Sequence, residues 1–441
     1  MKTKAQHWLH TFFTLTPEDT PNHKIAKHFR RNFLVNTGDL VFWNFGDSFI
    51  SIDTILPVFV STLTPSPVLI GLVRAIWQAG WFFPQLFLAP LVEKRNRQLP
   101  LVVLLGFFER LPFLIIGLAI LWFPKLTPDQ AVIVFILLYT WRSTASGFSA
   151  LPWQEMIAKV IPVSRRGRFI GTGFFLGRLI GVLGGVLAGI VLDRIVYPTN
   201  YATLFFITSG CVSVSLYCLS RTKEPVTGVK PTPESGPPPQ FKRLVKIIRE
   251  HENFRYYLIS RGLAYMGSMA YGFVAVYVIQ IYGLPDTYAA LFTTVLFASG
   301  MVGYIFWGSI GDRIGHKRVI IASNLIWIGA LFLLILMPSF SWVYLLFALM
   351  SVSSTGGMVG DFSIAMEFGS EPERPTYIGL AKTLTGPVVL AAPLLAGVAV
   401  NLWGYMAMFI VSLAFSVVAV VVFGLKVKDP RHPLVPETPL R

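Results

Sequence analysis

"RGRFIGTGFFLGRLIGVLGGVLAG" (166–189) decides the fold. After its basic start it is apolar for a bilayer's width, and Gly173, Gly177, Gly181, Gly185 and Gly189 recur at every fourth position. That spacing draws one small-residue ridge along a helix and lets a second backbone approach closely, as membrane helices do. The same frame returns 208 residues later in "RPTYIGLAKTLTGPVVLAAPLLAG" (374–397). Both stretches open Arg-x-x-aromatic-Ile-Gly and both close on Ala-Gly, at Ala188-Gly189 and Ala396-Gly397. The chain is therefore read as two copies of one membrane-embedded plan.

Composition agrees. Of 441 residues, 54% are hydrophobic and only 13% charged, against about 25% charged in ordinary soluble domains. A bilayer span needs about 20 mainly apolar residues. Runs of that kind lie at 35–60, 67–92, 99–123, 130–157, 168–192, 201–220, 256–281, 287–311, 318–337, 341–367, 376–400 and 404–425. The fold expected is an all-α membrane protein of twelve transmembrane helices in two six-helix, pseudo-symmetric bundles. The net charge of +15 sits mostly in the gaps between runs. No basic stripe with interleaved aromatics stands apart from them, which argues against a nucleic-acid partner.

The basic residues alternate. Lys24, Lys27, Arg30 and Arg31 precede the first run, and Lys94, Arg95 and Arg97 follow the second. Lys159, Arg165, Arg166 and Arg168 follow the fourth, and Arg313, Lys317 and Arg318 the eighth. The intervening gaps hold only Lys125 and Arg194. Positive charge is retained on the cytoplasmic side, so both termini are expected inside, in the cell (plasma or inner) membrane. The divisions expected are a cytoplasmic arm (1–32), a first bundle (33–220), a cytoplasmic linker (221–254), a second bundle (255–425) and a tail (426–441). Within the linker, "FKRLVKIIRE" (241–250) puts Phe241, Leu244, Ile247 and Ile248 on one face and bases on the rest. That is an interfacial-helix pattern for an anionic leaflet.

"GSIGDRIGHKR" (308–318) lies in the short gap after the eighth run. It resembles the signature of the major facilitator superfamily, with Gly308, Asp312, Arg313, Gly315 and Lys317 in the matching places. The first-half copy is altered: Ala89, Glu93, Lys94 and Asn96 stand where Gly, Asp, Arg and Gly belong. The resemblance implies a secondary transporter working by alternating access, with a cytoplasmic gate built from this motif and from Glu93. It also implies that the first and fourth spans of each half line the substrate path. The span-five pattern of proton-linked antiporters is kept at Gly173, Gly177 and Gly181, but Arg178 replaces its proline and Val182 its last glycine.

Several charges fall inside the runs, where each costs at least about 2.5–3.5 kcal/mol if left facing lipid. Asp47, Glu109, Arg110, Arg142 and Arg178 lie in the first half, and Asp361 and Lys382 in the second. Arg74 and Asp53 lie in outer halves and could pair. Asn44, Asp47, Ser51 and Thr54 are spaced as one helical stripe. The candidate substrate or proton cavity is Asn44, Asp47, Ser51, Arg142 and Arg178, and the candidate proton carriers are Asp47, Glu109 and Asp361. A static Asp47–Arg142 bridge is the structural alternative.

The seven histidines lie outside the runs, and no Gly-x-x-x-x-Gly-Lys-Ser/Thr loop occurs. No metal site, cofactor or enzymatic activity is expected. The partners expected are a small-molecule substrate, a coupling proton and the lipid bilayer, and the chain is expected to act as a monomer. Proton-coupled efflux of an amphipathic compound is the first functional expectation. Import of a small polar anion, drawn by Arg142 and Arg178, is the alternative, followed by a lipid-handling or sensor role.

Overall fold

The computed structural model describes residues 23–93, 95–225, 248–364 and 374–429, with positions 15 and 368 alone. Most of the arm, most of the linker (226–247, hence most of the expected interfacial helix) and the last twelve residues lie outside the described residues. The elements are α1 (His23–Ser48), α2 (Ile55–Leu63), α3 (Pro67–Glu93), α4 (Leu99–Trp122), α5 (Pro128–Val160), α6 (Val163–Arg194) and α7 (Thr199–Ser220). They continue with α8 (Glu252–Gly267), α9 (Val274–Tyr282), α10 (Thr287–Ile314), α11 (His316–Leu336), α12 (Trp342–Ile364) and α13 (Arg374–Lys426).

Among the described residues nine helices are long and apolar enough to cross a membrane. The last of these holds two spans, because Gly404 (φ +79°) breaks α13. That backbone conformation favours glycine. Adding α3 and the first span, α1 with α2, is consistent with the twelve crossings expected.

The first span departs from expectation. The stripe Asn44, Asp47, Ser51, Thr54 is not one continuous helix: α1 ends at Ser48 and α2 begins at Ile55. Pro57 supplies a reason. It offers no N–H to the carbonyl four residues back, and its ring crowds that carbonyl, so it is tolerated only in a first turn. The seventh span breaks at the corresponding place, where a 3₁₀ turn (Met269–Gly272) separates α8 from α9.

The chain divides into two compact units. One holds 1–51 and 79–233; the other holds 52–78 and 234–441. Each has the same internal plan. In the first unit α1 packs on α6 and α7, and α4 on α5 and α7. In the second, α8 and α11 pack on α13, and α11 on α12. The repeated hexamer does equivalent work in both. Its aromatic Phe169 meets Phe33 edge to face at 5.7 Å between centroids, and Tyr377 meets Phe254 in the same way at 4.8 Å. Both rings are buried in the cluster that binds the basic end of their unit.

The glycine ridge of α6 faces α1. A Cβ on Gly173 would strike Leu40, one on Gly177 would lie 2.8 Å from the Asn44 Cβ, and one on Gly184 would strike Ser48. Leu40, Asn44 and Ser48 are four apart, so the ridge lies along one face of α1. Gly181 and Gly185 are buried as well, and Gly189 is half-buried.

Candidate functional site

The first unit concentrates charge between α1, α4, α5 and α7. Asp39, Glu109 and Arg110 are each at least nine-tenths buried. The Arg110 guanidinium lies 3.4 Å from the Asp39 Oδ1 and 3.3 Å from the Glu109 Oε2. Its remaining capacity goes to the carbonyls of Val212 (2.9 Å) and Gly106 (3.1 Å) and to the Ser215 hydroxyl (3.1 Å). A guanidinium offers five N–H donors, and five acceptors surround this one. Each acid also receives a hydroxyl: Ser215 donates to Asp39 and Ser149 to Glu109, both at 2.5 Å.

Arg142 differs. It is 5% exposed, yet among the described residues no carboxylate lies within ion-pair distance. The Asp47–Arg142 bridge is therefore not formed. Rings surround the Arg142 guanidinium instead: Phe113 at 5.2 Å, Trp43 at 5.8 Å and Tyr139 at 5.9 Å from ring centroid to Cζ. Its Nε has no hydrogen-bond partner. Ring faces attract a cation, but they do not replace the hydrogen bonds that water gave it. Trp43 is shared, because Arg110 lies 5.0 Å from the same ring.

The other residues singled out from the sequence are placed as follows. Asn44 is buried against Gly177 and donates to the Leu40 carbonyl at 2.8 Å. Ser51 is buried in the break of the first span, and Asp47 and Arg178 are half-buried. Asp361 of α12 belongs to the second unit and forms an ion pair with Arg261 of α8. The sequence reading missed Asp39 and Trp43. Asn36, Asp39 and Trp43 follow at three and four residues on one face of α1, and that spacing was the available signal. Asp39 lies close to the start of the apolar run, where a charge is less conspicuous than at its middle.

In the second unit the helix break is tied down. The Gly267 carbonyl, freed where α8 ends, accepts from the Trp327 indole (2.8 Å) and the Ser412 hydroxyl (2.5 Å). Tyr271 in the 3₁₀ turn stacks on Trp327 at 4.0 Å and donates to the Met350 carbonyl at 3.2 Å. Arg74 pairs with Asp53 and lies 5.3 Å from the Tyr271 ring.

The motif after the eighth span is a tight turn between α10 and α11. Gly315 (φ +89°) makes that turn, and Lys317 donates to the Gly424 carbonyl at 3.1 Å. A cation at the last turn of a helix is favoured by the helix dipole. Gly308 lies in open space and Arg313 is exposed. The side chains of Asp312 and Glu93 lie outside the described residues.

Residues 257–441 match the model of the Major Facilitator Superfamily. Solved structures share the fold across nearly the whole chain. One is a variant form of the nucleoside transporter NupG, at a TM-score of 0.70 and 12% identity, covering 90% of this chain and 100% of that one. Another is a D-xylose-proton symporter, at 0.67 and 14%, covering 92% and 99%. The second half of the chain is thus similar to the Major Facilitator Superfamily, and the chain as a whole shares the fold of these solved structures. An Arabidopsis thaliana protein named organic cation/carnitine transporter 7 is 29% identical over 113 residues, which is 26% of this chain and 22% of that protein's own length. The fold is thus one shared with solved transporters, built on helices long and apolar enough to cross a membrane.

Proposed function

We propose that the protein is a secondary active transporter of a small amphipathic organic anion, working by alternating access with a proton as coupling ion. One observation carries the reading: Arg142 is a buried guanidinium with aromatic walls and, among the described residues, no anionic partner. Burying a charge is costly unless it is paired and hydrogen-bonded. A ligand carboxylate or sulfonate would provide the missing acceptor, and its apolar body would rest on Trp43, Phe113 and Tyr139. The two sequence expectations, an amphipathic compound and a polar anion, meet in this one ligand class. In alternating access the anion site at Arg142 opens to each side of the membrane in turn, with the turn at Gly308–Lys317 belonging to the inner gate. Net flow then follows the combined gradients.

Purified protein in liposomes should show counterflow of aromatic carboxylates and sulfonates, and Arg142→Gln should abolish it. Counterflow of organic cations in place of anions would overturn the reading. So would movement of lipid that needs no ion gradient.

A further inference from the structure

Among the described residues, the first unit holds four buried charged groups in one neighbourhood: Asp39, Glu109, Arg110 and Arg142, each at least nine-tenths buried. Their formal charges, two negative and two positive, sum to zero. The arrangement is lopsided all the same. Arg110 serves both carboxylates, and Arg142 serves neither. A monovalent anion on Arg142 would take the buried sum to minus one, and an uncompensated charge away from water is strongly disfavoured. We infer that this cluster takes up one proton, on Glu109, for each monovalent anion that Arg142 binds, so that the loaded carrier is electroneutral.

Glu109 is the acceptor because its hydroxyl partner can turn. Ser149 donates to the Glu109 Oε2 at 2.5 Å and also lies 3.1 Å from the Ser146 carbonyl. With Glu109 ionised, Ser149 gives its proton to the carboxylate. With Glu109 protonated, the carboxyl donates to the Ser149 oxygen and Ser149 donates to Ser146. Both states satisfy every group without moving a helix. Ser149 and Ser146 also tie Glu109 to Arg142, because residues 142, 146 and 149 share one face of α5. Trp43 ties Arg110 to Arg142 from α1.

The groups that face the acids complete the environment. Ser215 and Cys218 face Asp39 from α7, and Trp153 faces it from α5. Opposite Leu40, α6 presents Gly173. In the transfer, the anion leaves water for Arg142, a proton leaves the same water for the Glu109 carboxylate, and both are released on the other side. No covalent bond other than the O–H is made or broken.

The inference rests on Arg142 as the anion contact, and it can be tested without any substrate. Arg142→Gln removes one positive charge and so imitates the loaded state. The infrared difference between Arg142→Gln and wild type at neutral pH should show one added protonated-carboxyl C=O band per chain. The band should vanish in Arg142→Gln/Glu109→Gln and be absent from Arg142→Lys, which keeps the charge. No added band in a folded Arg142→Gln protein, or the same band in Arg142→Lys, overturns the inference. If Arg142→Gln does not fold, wild-type protein in unbuffered detergent is titrated with benzenesulfonate while a pH dye and equilibrium dialysis are read together. One proton per bound anion supports the inference, and zero protons per bound anion overturns it. Anion counterflow with zero proton uptake would leave the proposed transport standing and remove only the coupling.

Discussion

The two units share a plan and arrange the charges within their spans differently. In the second unit the described pairs are one to one: Arg261 with Asp361, and Arg74 with Asp53. Each pair joins two elements and leaves no formal charge over. In the first unit Arg110 is divided between Asp39 and Glu109, while among the described residues Arg142 is held by rings and by no carboxylate. A closed pair fixes geometry. An open set can change its proton count or accept a ligand at little structural cost. The repeat therefore supplies the same scaffold twice, and the chemistry proposed here is concentrated in one copy.

The sharpest way to break this comparison is to neutralise one charge of each kind. Arg142→Gln should leave the unit folded and cost about 2–5 kcal/mol of anion binding, the range for losing one partner of a buried charge pair. That is at least ~30-fold in Kd, since each 1.4 kcal/mol is tenfold. Asp361→Asn should act the other way. Removing one partner of a buried pair costs about 3–5 kcal/mol of stability, and the low end applies because a quarter of the Asp361 side chain is exposed. Thermal unfolding should therefore come earlier, while the ratio of protons to anions in the surviving protein stays unchanged. A changed ratio would move the proton site to the second unit.

Much of this was legible in the chain itself. The twofold plan could be read from Arg166–Gly171 and Arg374–Gly379, because the aromatic of that frame serves packing that both units need. Glu109, Arg142 and Asp361 stood out because charge inside an apolar run is rare. What could not be read was which charge meets which. The distance from Asp39 to Arg110 depends on how α1 and α4 cross, and that is set by glycines on α6 and by side chains far away in sequence. The break in the first span was half visible in Pro57. Its partner in the seventh span has no proline at Met269–Gly272, and its hold comes from Trp327, Ser412 and Met350 on three other helices.

The mildest test concerns the ridge that brings α6 to α1, and so helps to place the face bearing Asp39 and Trp43. Gly177→Ala would put a methyl 2.8 Å from the Asn44 Cβ and 3.1 Å from its Nδ2. The neighbour on that side is a stiff stem near the α1 backbone rather than a free chain end. Overpacking of this kind costs about 1–3 kcal/mol. Gly171→Ala is the control, since nothing lies within 4 Å of the added carbon. It should leave thermal stability unchanged or slightly raised, because alanine is the better helix former. If the ridge also positions the charged cluster, Gly177→Ala should weaken anion binding along with stability, whereas Gly171→Ala should alter neither adversely. Equal behaviour of the two variants would mean that α6 and α1 can separate slightly without disturbing Arg110 or Arg142. The placement of the charges would then have to come from α4 and α7 alone.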